Sequence, residues 1–265
     1  MTMTFTDFKG KVALITGASG GVGLRIAEKM AAGGAHVVLN GRSAGNGAKA
    51  LEQLAAFTDQ AASMRFAVGD CSNYDDAVRV CAEAAKVTGT LDIVVSSGAQ
   101  GAVRPMPFSQ MTGPELVIAH NSRFFARINP LHAALPYMQE NGGSMIMVGT
   151  DAGRHATPGE SVVGAFGAGV ILMTKTLAKE LARHKIRVNS VSLTLTSDTP
   201  SWDRIFNEKT FQTGLFSKAK DRFPFGRAPN AEEVARVATF LASEESCQVT
   251  GQTVSVNGGL SFGGW

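Results

Sequence analysis

The sequence predicts a single doubly wound α/β domain built on a parallel sheet. Apolar runs rich in Val and Ile alternate with longer helical patterns almost from end to end. Those runs are continuously apolar and do not alternate, as strands covered on both faces require. The first of them ends in a glycine-rich turn that opens a helix. A chain of 265 residues fits one large domain. No proline-rich linker or internal repeat divides it, so residues 1–265 are expected to form one unit.

In chain order, strands are expected at residues 11–16, 36–40, 64–69, 91–96, 144–148, 187–191 and 253–256. Each carries two or three branched apolar residues and ends in a polar or glycine turn. Helical patterns lie between them, at 22–33, 75–89, 112–140 and 161–184. Residues 194–229 break the rhythm, being long, mixed in polarity and Ser/Thr-rich at the start. A loop of that length inside a compact domain is usually functional, often a lid. Trp202, Phe206, Phe211, Phe216 and Phe223 give it an apolar character that suits an acyl or aromatic group, or a lid core of its own.

Hydrophobic residues make up 44% of the chain and charged residues 18%, enough to bury a sizeable core and to exclude a disordered chain. Twenty-five basic and 22 acidic residues leave a net charge of +3 without a basic stripe, so no nucleic-acid partner is expected. Three cysteines, Cys71, Cys81 and Cys247, make neither a disulfide framework nor a four-thiolate zinc site, and no metal is expected. The start of the chain shows no leader pattern, and the apolar runs fall short of the ~18 residues a membrane span needs. The expectation is a soluble cytoplasmic protein with no membrane contact.

The first strand runs into Thr16-Gly17-Ala18-Ser19-Gly20-Gly21-Val22-Gly23 and then a helix. Glycines there let the backbone turn tightly and approach a diphosphate, while the helix start offers free N–H groups to it. At the end of the second strand, Leu39-Asn40-Gly41-Arg42-Ser43 holds no acidic residue for a ribose 2′-hydroxyl. Arg42 is either a partner for a 2′-phosphate, which favours NADP(H), or an ordinary solvated arginine.

With these motifs in place the chain resembles the short-chain dehydrogenase/reductase family, over essentially its whole length. The turn matches TGxxxGxG through Thr16, Gly17, Gly21 and Gly23, and Asp70 matches the aspartate that contacts adenine. Ser96-Ser97-Gly98-Ala99 stands at the Asn-Asn-Ala-Gly position with both asparagines replaced by serine. Asn121 matches the asparagine of the long central helix, and Arg187-Val188-Asn189-Ser190-Val191 the sixth strand. Thr250-Gly251-Gln252 with Val256-Asn257-Gly258-Gly259 matches the closing segment. The resemblance is nearest to the 3-oxoacyl thioester reductases. It implies a Rossmann-type fold and a cofactor site formed by Gly17, Ser19, Gly21, Val22, Gly23, Arg42, Asp70, Cys71 and Gly98.

The family's chemistry uses a serine that orients the substrate oxygen, a tyrosine that moves the proton, and a lysine four residues later that lowers the tyrosine pKa. Thr150 takes the serine position and keeps a hydroxyl, and it reads equally as a polar residue ending a strand. Thirteen residues on, the tyrosine position is Val163, and the lysine position is Gly167. Gly169-Val170 and Ala178-Lys179-Glu180-Leu181 hold the frame on the far side without insertion. Tyr74 and Tyr137 are the only tyrosines, and the resemblance places both elsewhere. Lys175 lies eight helical residues beyond the lysine position, roughly 12 Å along the axis. Leu193-Thr194 replaces the Pro-Gly pair that borders the nicotinamide.

Thr150 and Asn121 are thus the residual catalytic candidates. The resemblance implies a non-catalytic subunit paired in a tetramer with an active paralogue, as in hydroxyacyl-CoA dehydrogenases of aromatic-acid and benzylsuccinate degradation. A homotetramer is the other assembly. The expected interfaces are helices 112–140 and 161–184 and the run 249–265, which ends in Phe262 and Trp265. An active NADP(H)-dependent oxidoreductase with a displaced proton donor is the second reading, with His155, Asp151, His120 and Asn121 as candidates. A lyase or hydratase reusing the pocket is the third.

Overall fold

A computed structural model describes residues 7–58, 62–98, 103–208 and 211–262. Seven strands form one all-parallel sheet in the order β3-β2-β1-β4-β5-β6-β7. They are β1 (Val12–Thr16), β2 (His36–Gly41), β3 (Met64–Val68), β4 (Ile93–Ser96), β5 (Gly143–Thr150), β6 (Ile186–Leu193) and β7 (Thr253–Val256). From β1 the sheet grows outward through β2 and β3 on one side and through β4 to β7 on the other, so strand order reverses between β1 and β4 and a crevice opens there. The central strands are continuously buried, β1 at every residue. The edge strands β3 and β7 are only partly covered, so the rule of two covered faces fails at the rims.

Helices α1 (Gly21–Ala32), α2 (Ala44–Leu54) and α9 (Ala231–Ala242) cover one face, around Ile15, Ile26, Leu39 and Val234. On the other lie α3 (Tyr74–Ala85), α4 (Gly113–Asn121), α5 (Phe125–Ala134) and α6 (Ser161–Leu181), around Leu14, Val94, Met145 and Val188. Short polar side chains start these helices: Ser43 and Asn73 accept from the third residue beyond them, and Thr112 with Glu115 and Asn230 with Glu233 form capping boxes. Arg187 of β6 donates to the carbonyls of Leu241, Ala242 and Ser243, closing the end of α9 where a cation is favoured.

Three sequence expectations are corrected. The helix expected over 112–140 is two helices separated at residues 122–124, followed by a 3-10 turn at Leu135–Tyr137. Arg127 takes the carbonyl of Arg123 and Arg123 takes that of Ala119, so side chains compete for helix acceptors at the break. The segment 194–229 holds two helices, α7 (Pro200–Asn207) and α8 (Phe211–Lys220). Leu195, Phe223 and Ala228 bury beneath it with Trp202, Phe206 and Phe216, a small core of its own.

The third correction concerns membrane length. Ser161–His184 is one helical stretch of 24 residues with mean hydropathy 1.5, long and apolar enough to cross a bilayer by length and composition. Gly164, Gly167, Thr174 and Thr176 interrupt its apolar runs, which hid its overall character. In the fold α6 lies along β5 and β6 with Phe166, Val170 and Ala178 in the core. Its opposite face, with Leu172 67% exposed, is bare.

Candidate active site

The crevice between β1 and β4 widens into a cavity of about 1440 Å³, roofed by α7 and α8. The residues expected to form the cofactor site and the two residual catalytic candidates all line it: Gly17, Ser19, Gly21, Val22, Gly23, Arg42, Asp70, Cys71, Gly98, Asn121 and Thr150. Ala99 lies outside the described residues.

At the end of β1, Gly17 adopts φ 64° and approaches the β4 turn so closely that a Cβ there would fall 2.4 Å from Gly98 Cα. No other residue type fits that crossing. The first turn of α1 carries no acidic residue, and no side chain caps its N-terminus. Its N–H groups therefore face the cavity free to meet an anion.

Beyond β2, Arg42 and Asp70 face each other with an N–O separation of 3.9 Å, both about half exposed. Asp70 also accepts from the Ser72 amide and hydroxyl. Asn40 is buried and donates to the carbonyls of Ala67 and Gly69, which pins β2 to the end of β3. Cys71 gives its thiol to Asn40 Oδ1, and burial pushes that thiol up to about 12, so it is no nucleophile. The three cysteines are free.

The opposite end of the cavity holds Thr150, the last residue of β5. Its hydroxyl accepts from the Ala152 amide at 3.3 Å, capping a 3-10 turn at Asp151–Gly153. That turn packs on α6 with no space between. A Cβ at Gly167 would lie 2.8 Å from Thr150 Cγ2 and 2.9 Å from both the Thr150 carbonyl and the Gly153 nitrogen. A Cβ at Gly153 would in turn fall 2.3 Å from the Gly167 carbonyl carbon. Two glycines thus let turn and helix meet backbone to backbone. Val163 is half-buried, and neither it nor Gly167 lines the cavity. Tyr74, bonded to His132 at 2.6 Å, and Tyr137 are also elsewhere, as is Lys175.

The displaced-donor candidates separate cleanly. His120 stacks on Phe124 and Phe125 outside the cavity, a correction to its placement near the pocket. Asp151 reaches the lining, yet its carboxylate accepts from Ser255 at 2.7 Å and from Asn257 at 2.6 Å. It ties the β5 turn to β7 and to the residue just after it, which is structural work. His155 lines the cavity with a buried Nε2 that has no partner among the described residues.

Three charged residues near this end were missed from sequence. Arg127 is buried with no carboxylate partner among the described residues, donates to Val148 and Gly98 carbonyls, and lies 4.4 Å from the Phe166 ring centre. Burial pushes its guanidinium down to about 9. Arg123, also lowered by burial, donates to Ala119 and Val103 carbonyls. Glu160, the residue before α6, lines the cavity. Burial raises its carboxyl to about 7, with Arg123 opposing the rise. In sequence Glu160 reads as an ordinary residue ahead of an apolar helix, and nothing local marks its burial.

Glu160 has a consequence for stability. Its folded pKa of about 7 exceeds its ordinary 4.5, so between those values the native state holds a proton that the unfolded chain has lost. Stability from this group is therefore present below pH 4.5 and is lost as pH rises to about 7. Denaturant midpoints at acid and neutral pH should show Glu160→Gln gaining on the wild type as pH rises. Parallel pH curves for the two proteins would remove the burial argument.

The sequence model of the family described as Enoyl-(Acyl carrier protein) reductase matches residues 17–261. The 3-oxoacyl-[acyl-carrier-protein] reductase FabG of Thermotoga maritima is 34% identical over 257 residues, covering 95% of this chain and 98% of its own. The 2,3-dihydroxy-2,3-dihydro-p-cumate dehydrogenase of Pseudomonas putida is 31% identical over 255 residues, covering 96% and 95%. Among solved structures, a short-chain type dehydrogenase/reductase from Mycobacterium ulcerans superposes with a TM-score of 0.88 at 25% identity, covering 96% of this chain and 90% of that one.

Proposed function

The chain belongs to the short-chain dehydrogenase/reductase family, and we propose that it serves there as a subunit without proton-transfer chemistry of its own, assembled with an active relative. The relative oxidises or reduces a hydroxyacyl or oxoacyl group. The names of the relatives point to an oxidoreductase setting. One observation carries the finer reading, the backbone contact at Gly167. By the family resemblance a lysine belongs there, and a side chain has no room. Val163, at the tyrosine position, has no group that titrates.

The residues fit a dinucleotide at one end only. The open start of α1 suits the diphosphate, Arg42 and Asp70 flank the adenosine end, and Gly98 and Cys71 complete the wall. A bound nicotinamide would supply or accept hydride. At its own end this chain offers Leu193, Thr194 and a capped Thr150. Binding is thus expected to survive in weakened form, with NADP(H) favoured. Calorimetric titration checks this: Arg42→Ala should erase the preference, and a wild type that prefers NAD(H) would remove the role given to Arg42.

The assembly rests on bare apolar surface. Val117, Phe125 and Leu172 are exposed on α4, α5 and α6, and Phe262 is 84% exposed near the end of the chain. Exposed apolar surface of this kind is what a subunit contact would cover. The closing Trp265 lies outside the described residues. Purification from the native source, with identification of the accompanying chain, tests the reading. A homogeneous oligomer with ordinary turnover overturns it.

A second reading has one specific observation behind it. Glu160 and His155 both line the cavity, and a carboxyl held near 7 suits acid–base work at neutral pH. Under that reading the chain is itself an oxidoreductase, and Glu160→Gln abolishes its activity.

A further inference from the structure

Arg127 carries a buried positive charge that the described residues leave unmatched. It is 7% exposed, and burying an unpaired charge is costly. Its surroundings raise that cost. Arg127 is the third residue of α5, in a first turn that holds no acidic residue, where the helix dipole disfavours a cation. Arg123, buried four residues earlier, adds a second positive charge. Glu160 forms no ion pair with either arginine among the described residues. Burial raises its carboxyl to about 7, which makes it a poor counter-ion at neutral pH.

Bracing the backbone does not by itself call for this charge. Of the five N–H donors of a guanidinium, Arg127 spends three, Nε on the Val148 carbonyl and Nη1 on those of Gly98 and Arg123. Elsewhere the fold ties off carbonyls beyond its strands with neutral amides. Asn40 takes those of Ala67 and Gly69, and Asn129 those of Cys71 and Ser72. Arg187 also takes carbonyls, but at the C-terminus of α9, where the dipole favours a cation. Beyond a brace, Arg127 has Nη2, which has no partner among the described residues, on a side chain that lines the cavity. Three hydrogen bonds and the Phe166 ring at 4.4 Å hold the guanidinium, so the free nitrogen is set before a ligand arrives.

We propose that the cavity takes an organic acid whose carboxylate rests on Nη2 of Arg127. Arg127 sits where β4 and β5 end. Ser97 precedes Gly98, Thr150 lies two residues beyond Val148, and both put hydroxyl-bearing residues on the cavity lining. Ile118, Val148 and Leu193 line the same cavity and suit the apolar body of such an acid. The other source of anion is the dinucleotide, whose phosphates already have the uncapped start of α1. The cavity, at about 1440 Å³, exceeds the usual range of about 300–1,000 Å³ for a single small ligand, which leaves space for a second one. This assignment rests on the reading of the cavity as a retained binding site and names the class of ligand it takes beside the dinucleotide.

Calorimetry on the full chain tests this with benzoate as the probe and benzamide as its neutral counterpart of the same shape. Wild type should bind benzoate, and benzamide about tenfold or more weakly, since only the anion makes a charge-assisted hydrogen bond. Arg127→Gln should lose about the same factor for benzoate and little for benzamide. Pyrophosphate separates the two sources of anion and should leave benzoate in place. No benzoate binding by wild type, equal binding of benzamide, an unchanged Arg127→Gln, or displacement of benzoate by pyrophosphate overturns the assignment. A crystal structure of the wild type with benzoate needs no variant and decides the matter should Arg127→Gln fail to fold. The carboxylate belongs on Nη2 of Arg127, and a position elsewhere overturns the assignment. Ordinary turnover by the isolated chain would overturn the proposed function and leave this assignment standing. An inactive chain that ignores benzoate would do the reverse.

Discussion

Purified alone, the protein is expected to turn over carbonyl or alcohol substrates at least ~10²–10⁴-fold more slowly than a working relative. Ordinary dehydrogenases run at roughly 1–10³ s⁻¹, so the residual rate falls near or below the limit of a coupled absorbance assay. The physical reason is the proton. Hydride transfer to a carbonyl builds negative charge on oxygen, and some group must deliver a proton or hold that charge. Thr150 keeps a hydroxyl that accepts from the Ala152 amide and can still donate a hydrogen bond, but a neutral alcohol does not release its proton near neutral pH. Asn121 lines the cavity and has no proton to give at neutral pH. Losing two cooperating groups does not simply multiply the two losses, so the range stays that of one step. Steady-state assays with both nicotinamide cofactors check this, on the chain alone and after addition of the co-purifying relative. A full-speed chain whose rate disappears in Glu160→Gln would move the assignment to the second reading.

Much of this molecule was legible in its sequence, because parallel strands buried on both faces leave long apolar runs. β7 was placed to the residue, and β1, β2 and β3 within one residue at their ends. The glycine turn was equally plain, since the Gly17–Gly98 crossing tolerates no side chain and so leaves a fixed residue type behind. What stayed hidden depends on contacts distant in sequence. The break at residues 122–124 arises from arginine side chains taking backbone carbonyls, which no propensity encodes. The lid helices α7 and α8 bury little beyond each other and the cavity wall, so their apolar stripe is short. Glu160 and Arg127 look like ordinary surface residues until the fold covers them. Asp151 looked like a candidate acid, and only the return of Ser255 in β7 and Asn257 just after it shows it to be a clasp.

Restoring the family's pair should fail, and the reason is steric before it is chemical. In Val163→Tyr with Gly167→Lys, the lysine Cβ would enter space held by the Thr150 carbonyl and the Gly153 nitrogen at 2.9 Å. Backbone atoms cannot turn aside as a side chain can, so the 3-10 turn must move off α6. Overpacking of this kind costs about 1–3 kcal/mol, and an ammonium led into a buried contact adds to it. Replacing a helical glycine gains about 1 kcal/mol at most, so the loss wins. For a chain of this size each kcal/mol shifts Tm by about 2–4 °C, which sets an expected fall of several degrees. Gly167→Ala isolates the clash and should already lower Tm. Gly214→Ala is the control of opposite sign: Gly214 sits in α8 with open space where its Cβ would lie, and only the helix gain remains, so Tm should rise slightly. Activity of the double variant should stay at the wild-type background, because the displaced turn carries Thr150 with it. A double variant with unchanged Tm and ordinary turnover would show that the turn yields freely and that Gly167 is an incidental loss.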